Sequence, residues 1–204
     1  PMNRFEVIKP STIAQAKDAL LEKTPSLYKA GGIDVIDHLK ERLEQPQRVV
    51  DLKSLPGMTD IRVEADGSLR IGALAKLADI AADPRIRKSH TALAIAAGET
   101  ASPQVRNVAT LGGSVLQRPR CWYYRLEQYQ CLKKGGEVCF AVGGENRYHV
   151  IFGGGPSYAV HPSNSAVALV ALNASFVFDG PKGQRTVPAQ DFFKLPSKSA
   201  TIEN

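Results

Sequence analysis

The three cysteines, Cys121, Cys131 and Cys139, are spaced C-x9-C-x7-C within one glycine-rich, charged segment. An iron-sulfur cluster needs several thiolates converging on one point, usually four. Three are present here, and the absence of a CxxC pair argues against a zinc ribbon. An odd number of neighbouring cysteines is also a poor disulfide framework, so reduced thiols and a metal-ligand cluster are the expectation. The competing reading is three inert buried thiols. The flanking glycines and charges weaken it, because structural cysteines usually sit in apolar surroundings.

Two glycine pairs point to a different chemistry. Ala30 to Asp34 (AGGID) stands between a strand-like and a helix-like stretch. Paired glycines there let a backbone approach a ligand, and a helix N-terminus offers free N–H groups to an anion. Taken alone, a tight turn with no ligand is the more economical account, because short glycine motifs recur by chance. Thr110 to Ser114 (TLGGS) is the second pair, preceded by Ser102, Pro103, Gln104, Arg106 and Asn107, which supply hydroxyl, amide and guanidinium donors. Two donor-rich turns suit a ligand with two phosphates; two unrelated loops are the alternative. Neither turn matches GxGxxG, so a Rossmann reading has no support. His149 and His161 adjoin apolar stretches and read as hydrogen-bonded structural residues. With no Ser-His-Asp order, HExxH or P-loop lysine, no catalytic acid or base is assigned.

The elements that must position these groups follow from periodicity. Ser11 is placed to cap a helix carrying Ile13, Ala16, Leu20 and Leu21 at helical spacing. Leu27 to Lys29 reads as a short strand, Ile33, Ile36, Leu39 and Leu43 as a second helix, and Arg48 to Leu52 as another strand. These make a small α/β unit over about residues 1–55. Ile61 to Glu64 and Ser68 to Gly72 alternate like strands around the turn Ala65, Asp66, Gly67. Ala73 to Ala82 and Thr91 to Thr100 are Ala-rich helical stretches, whereas SPQVRNVATLGGSV is short in helix formers and is expected to be irregular. After the cysteine segment come the apolar stretch Ala166 to Ala174, a strand from Ser175 to Asp179, a turn at Gly180 to Gly183, and an extended piece from Arg185 to Val187.

Composition sets the outer bounds. With 204 residues, 43% hydrophobic and 23% charged, the chain has the make-up of an ordinary globular protein of one large or two small domains. The longest apolar stretch, Ala166 to Phe178, is interrupted by Asn173 and Ser175 and falls short of the roughly 20 residues that span a bilayer. PMNRFEVIKP has neither an apolar h-region nor twin arginines, so synthesis in the cytoplasm is expected, with export to the periplasm open only through a partner's signal. The net charge is +6, and residues 115–150 hold six Lys or Arg against three Glu, interleaved with aromatic residues. Single-strand nucleic-acid surfaces share that mixture.

Taken together, AGGID, SPQVRNVATLGGSVLQRPRCWYYR, CLKKGGEVCFAVGGENRYHVIFGGGP and VHPSN resemble the FAD-binding subunit of the molybdenum hydroxylases. This is the family of xanthine and aldehyde dehydrogenases and of the carbon monoxide dehydrogenase medium subunit; the nearest subgroup carries an extra four-iron cluster. The resemblance covers nearly the whole chain and absorbs the basic aromatic segment, leaving nucleic-acid binding the weakest reading. It implies an α+β fold of the vanillyl-alcohol-oxidase (PCMH) type in two subdomains, residues 1–55 and 56–204, with a cluster loop at 115–158. The family's further C-terminal domain is expected to be missing, since the sequence stops at Ile202, Glu203 and Asn204.

By the same resemblance, Lys29, Ala30, Gly31, Gly32, Ile33 and Asp34 line one side of the FAD diphosphate. Ser102, Asn107, Thr110, Gly112, Gly113 and Ser114 line the other, with Asn164 near the ribose. Cys121, Cys131 and Cys139 would hold a 4Fe-4S cluster, completed by the Ser157 oxygen, a partner's residue or solvent, or else a cluster with one iron fewer. The chain departs from the family at four places. Ile33 replaces the hydroxyl of AGGT, Ser114 an Asn or Asp, Asn164 the Asp of HPSD, and Ser157 the fourth cysteine. The implied function is that of an oxidoreductase subunit passing electrons from iron-sulfur clusters through FAD to an acceptor. Its implied partners are a large molybdenum-cofactor subunit and a small 2Fe-2S subunit, with no nucleic acid and no membrane span. The alternative is a non-catalytic iron-sulfur or structural subunit that has lost FAD.

Overall fold

The structure is a computed structural model that describes residues 2–152 and 155–193. The last two glycines before Gly155, and the chain end at Ile202 to Asn204, therefore lie outside the described residues.

Three parallel strands open the chain: β1 (Glu6–Ile8), β2 (Ser26–Lys29) and β3 (Arg48–Asp51), in the order β1-β3-β2. The central strand carries the fully buried pair Val49 and Val50, β-branched residues suited to a strand covered on both faces. Helices α1 (Ile13–Leu21) and α2 (Ile33–Lys40) make the crossovers that parallel pairing requires. The cap of α1 is Thr12, which accepts from the Gln15 N–H, and not Ser11 as expected. Ser11 instead donates its N–H and hydroxyl to Gln15 Oε1. Helix α2 ends at Lys40, short of the Leu43 that its spacing suggested, because Arg42 turns to φ 57° and the N–H of Leu43 folds back onto the His38 carbonyl.

The second part begins with the expected hairpin, β4 (Ile61–Val63) with β5 (Leu69–Ile71). Helices α3 (Leu77–Ala82), α4 (Pro84–Ser89), α5 (Thr91–Gly98), α6 (Pro103–Arg106), α7 (Leu111–Val115) and α8 (Trp122–Arg125) follow. The Ala73–Ala82 stretch is helical only from Leu77, because Ala73 and Ala75 use their carbonyls to accept from Gly112 and Leu111. Helix α4 was not anticipated, although Asp83 before Pro84 is a strong start signal: its carboxylate caps Arg85 and Ile86. The stretch 102–115 is likewise not irregular. It holds two short helices, each capped by a hydroxyl, Ser102 on Val105 and Thr110 on Gly113. Helix α9 (Asn164–Ala171), the hairpin β6 (Ser175–Gly180) and β7 (Gly183–Pro188), and α10 (Ala189–Phe192) complete the described chain.

The main core gathers Leu77, Ile80, Ile86, Leu93, Leu111 and Phe192, each of which contributes about 2 kcal/mol by leaving water. A smaller cluster joins Ala16, Ala19 and Val50 of the parallel unit to Leu55 and Leu74 of the next. A Lys17–Asp179 ion pair of 2.9 Å adds a polar tie between the first helix and the last hairpin. Among the described residues no helix is long and apolar enough to cross a membrane.

Candidate functional site

The two glycine turns meet. A Cβ at Gly31 would stand 2.3 Å from the Val108 carbonyl oxygen and 3.2 Å from the Ala109 Cα, so the turn between β2 and α2 lies on the backbone just before Thr110. Only a residue without a side chain allows that approach. Gly32, at φ 86°, then redirects the chain into α2. As the N-cap of α2 it brings no side chain to the first-turn amides, which keeps the N–H groups of Ile33, Asp34 and Val35 available to an anion.

The second turn is built differently. The N–H groups of Leu111 and Gly112 donate to Ala75 and Ala73, and those of Gly113 and Ser114 to the Thr110 hydroxyl and carbonyl. Its backbone is therefore no open nest of amides. What it offers is hydroxyl protons: as N-caps, Ser102 and Thr110 use their oxygens as acceptors and keep O–H groups to donate. Asn107 is exposed at the end of α6, and Gly113 is exposed in α7. Asn164 is exposed at the first position of α9, whose cap is Ser163.

Three predicted side chains are engaged within the protein. Lys29 Nζ pairs with Asp51 at 3.0 Å. The Ser114 hydroxyl is buried against that of Ser163 at 2.9 Å, joining α7 to α9. Asp34 turns to the cysteine segment: its Oδ2 accepts the Arg118 N–H at 2.9 Å and its Oδ1 the Arg125 Nη2 at 2.7 Å, with Arg120 Nη2 at 3.6 Å. Burial works to raise the Asp34 carboxyl, but the Arg118 N–H, the Arg125 guanidinium and the nearby His38 outweigh it and hold the group below the usual carboxylate range. His38, 3% exposed, has its Nε2 3.4 Å from Asp34 Oδ2 without a hydrogen bond. Burial, reinforced by Arg125, Arg118 and Arg120, pushes it down to about 4 despite Asp34, so it is neutral at physiological pH.

The cysteine loop gathers its candidate ligands around one space. Cys121, Cys131, Cys139 and Ser157 all line one small cavity of about 20 Å³. Cys131 and Ser157 are buried, and Cys121 and Cys139 are half-buried. A short 3-10 turn, Leu132–Lys134, and Gly135 at φ 90° return the chain so that the Leu132 N–H donates to the Val138 carbonyl. Gly136 is forced by packing, since a Cβ there would fall 1.9 Å from the Gln130 carbonyl oxygen. Burial, with the neighbouring Cys131 and Cys139, pushes the Cys121 thiol up. Among the described residues no group of three or more His, Cys, Asp or Glu is arranged to hold a metal ion. In a cluster each thiolate binds its own iron, so the sulfurs need to ring a volume and not to meet at one atom.

Residues 3–204 match the family described as the FAD binding domain in molybdopterin dehydrogenase. The chain belongs to that family. Among its relatives, the aldehyde oxidoreductase FAD-binding subunit PaoB of Escherichia coli K12 is 35% identical over 99% of this chain and 64% of its own length. The carbon monoxide dehydrogenase medium chain of Hydrogenophaga pseudoflava is 31% identical over 93% of this chain and 52% of that one. A solved carbon monoxide dehydrogenase from the same organism superposes with a TM-score of 0.69 at 27% identity, covering all of this chain and 56% of the other. The chain thus spans about half to two thirds of the length of these relatives. The α+β PCMH-type fold expected from the sequence is the fold of this FAD-binding domain.

Sequence reasoning missed several residues that shape the site in this family member. Arg118 and Arg125 belong by sequence to the basic aromatic segment, yet both address Asp34. His149, set aside as structural, places Nε2 3.2 Å from Cys121 Sγ while its Nδ1 is buried without a hydrogen-bond partner. Such long-range pairings leave no local spacing to find. His161 meets its structural reading, with a ring nitrogen 3.0 Å from the Val115 carbonyl oxygen.

Proposed function

We propose that this chain is the FAD-binding part of an electron-transfer subunit in a molybdenum hydroxylase complex. The junction of the two glycine turns at Gly31 and Val108, beside an uncapped α2 N-terminus, carries the reading. The diphosphate would rest against Gly31, Gly32 and the first amides of α2 on one side. The hydroxyls of Ser102 and Thr110, with Asn107, Gly112 and Gly113, would face it from the other, and Asn164 would reach the ribose. When bound, the flavin supplies the electron transfer, while the protein binds, orients and shields it. Lys29, Asp34 and Ser114 contribute backbone and shape, their side chains being held elsewhere. Ile33 removes a hydroxyl from the first turn, which leaves more of the phosphate contact to backbone N–H groups.

The finer assignment is a 4Fe-4S cluster held by Cys121, Cys131 and Cys139, with Ser157 at the fourth position. Their shared cavity and the burial of Ser157 support it. Residues 1–55 and 56–204 would be the two FAD subdomains, with the cluster loop at 115–158. Substrate hydroxylation would belong to a large molybdenum-cofactor subunit, and a small 2Fe-2S subunit would deliver the electrons, in the cytoplasm or after co-export to the periplasm.

Absorption spectroscopy with iron analysis on the purified complex tests this. The expected result is flavin bands at about one FAD per chain together with iron attributable to the loop. Iron without flavin would establish the alternative, a subunit that keeps only its cluster. Flavin without loop iron would refute the cluster alone.

A further inference from the structure

We propose that Asp34 is a positioning residue that couples the flavin site to the cysteine loop, so that occupancy of one steadies the other. The proposal rests on the reading of the glycine turns as the FAD site and deepens it.

Asp34 is the second residue of α2, directly after the turn formed by Gly31 and Gly32. Family resemblance put it on the flavin, but its carboxylate faces away from that role. It accepts from Arg118, three residues before Cys121, and from Arg125, four residues after it. Arg125 at the same time donates to the carbonyls of Pro119 and Arg118, which wraps the segment into a closed turn. Inside that turn the Cys121 carbonyl accepts from Tyr124 and Arg125, so the first cysteine is fixed by a frame whose two ends converge on one acid. Arg118 also pairs with Glu44 beyond the end of α2 and bonds the Tyr124 hydroxyl.

The consequence is mechanical and reciprocal. An anion drawn to the first turn of α2 orders the backbone that carries Asp34, and Asp34 in turn orders residues 118–125. Whatever stabilises the loop must then raise flavin affinity by the same factor. A charged, half-buried carboxylate with two short charge-assisted bonds is suited to transmit this, because such bonds are strong and directional.

Trypsin reads the coupling directly, since Arg120, Arg125, Lys133, Lys134 and Arg147 are cleavage points within the loop, whereas the Arg118–Pro119 bond resists it. Cleavage of the purified complex would be followed with native flavin, after flavin removal, and after adding FAD back. In the wild type, FAD should slow loop cleavage by about 5-fold or more, the lower range of coupling between linked sites. In Asp34→Asn and in Arg125→Gln that protection should fall below about 2-fold. The double variant should lose no more than either alone, as for two ends of one contact. FAD affinity should fall by the factor lost in protection. If either single variant is too unstable to purify, the other decides. Full FAD-dependent protection in a folded variant overturns the coupling while leaving the FAD reading intact. A wild type that takes up no FAD overturns both, and the flavin spectrum separates that outcome from the first.

Discussion

Gly31 and Val108 are in contact through backbone alone: a methyl group on Gly31 would lie 2.3 Å from the Val108 carbonyl oxygen. The approach of the two halves of the candidate flavin site is therefore set by the absence of one carbon atom. Gly31→Ala should lower stability by about 1–3 kcal/mol, the cost of forcing atoms into packed space, and should reduce flavin content with it. Gly113→Ala is the control, because its Cβ would meet only the Thr110 hydroxyl, at 3.0 Å. Its melting temperature should change little, since Ala is the better helix former, while flavin content falls if Gly113 faces the cofactor. Thermal melts and flavin absorbance on both variants check this. Equal melting temperatures for the two would contradict the contact.

The Ser114 hydroxyl is buried against that of Ser163 at 2.9 Å, so its first expected role is in the fold. Ser114→Ala should remove the hydroxyl pair, leave Ser163 Oγ with its cap bond from the Ala166 N–H, and cost about 1 kcal/mol, measured by denaturant unfolding. Flavin stoichiometry in the folded variant should stay at the wild-type level. A loss of flavin at unchanged stability would return Ser114 to the binding site.

His38 makes stability depend on pH with a defined sign. Its folded value of about 4 lies below the ordinary histidine value of 6.5, so between these limits the unfolded chain binds the extra proton and stability rises with pH. The stabilisation is complete above pH 6.5 and is lost as pH falls toward 4. Groups facing His38 are Asp34, Arg118, Arg120 and Arg125, together with the edge of the Tyr124 ring. Asp34, also depressed, loses its contribution at lower pH still, below the ordinary Asp range. His38→Asn should flatten the curve between pH 6.5 and 4 by up to about 3 kcal/mol, and unfolding at stepped pH measures it. An unchanged slope would mean that another group titrates in this window.

Single Cys→Ala changes at Cys121, Cys131 and Cys139 should each lower iron and sulfide content, and Ser157→Cys should raise resistance of the cluster to oxygen, since thiolate is the stronger iron ligand. His149→Phe removes the contact at 3.2 Å on Cys121 without removing a thiol. Iron should remain in that variant while the cluster potential falls, because a hydrogen bond to a ligating sulfur raises it. Iron content untouched by all three alanine changes would leave ordinary loop cysteines.

Much of the architecture is written locally. The alternation in β4 and β5 and the order of strand, glycine turn and helix around Gly31 are read from short windows, whereas the two short capped helices of residues 102–115 are not, since their composition is poor in helix formers. Other stretches are decided by competition from partners distant in sequence. Ala73 to Lys76 has helical composition, yet it is drawn out to serve the backbone of residues 109–112. Asp34 has the position of a phosphate-side residue, yet two arginines more than eighty residues away claim it. The cysteines were legible as a set because their types and crowding are visible in the chain, whereas their common cavity depends on turns at Gly135 and Gly136 that place no signature on the cysteines themselves.

Where the cysteine loop departs and returns, α7 and α9 are clasped by the Ser114–Ser163 bond and by His161 on the Val115 carbonyl. Entry and exit are thus neighbours, fastened independently of what lies between them. An excursion with pinned ends is entropically cheap to lengthen, because each doubling of a loop costs only about 0.6 kcal/mol. The segment is in that sense a detachable module: replacing residues 117–160 with a short polar linker should spare the core while deleting every thiol the chain possesses. The same hinge point would let evolution graft a redox centre onto a flavin-binding scaffold, or remove one, in a single insertion or excision event.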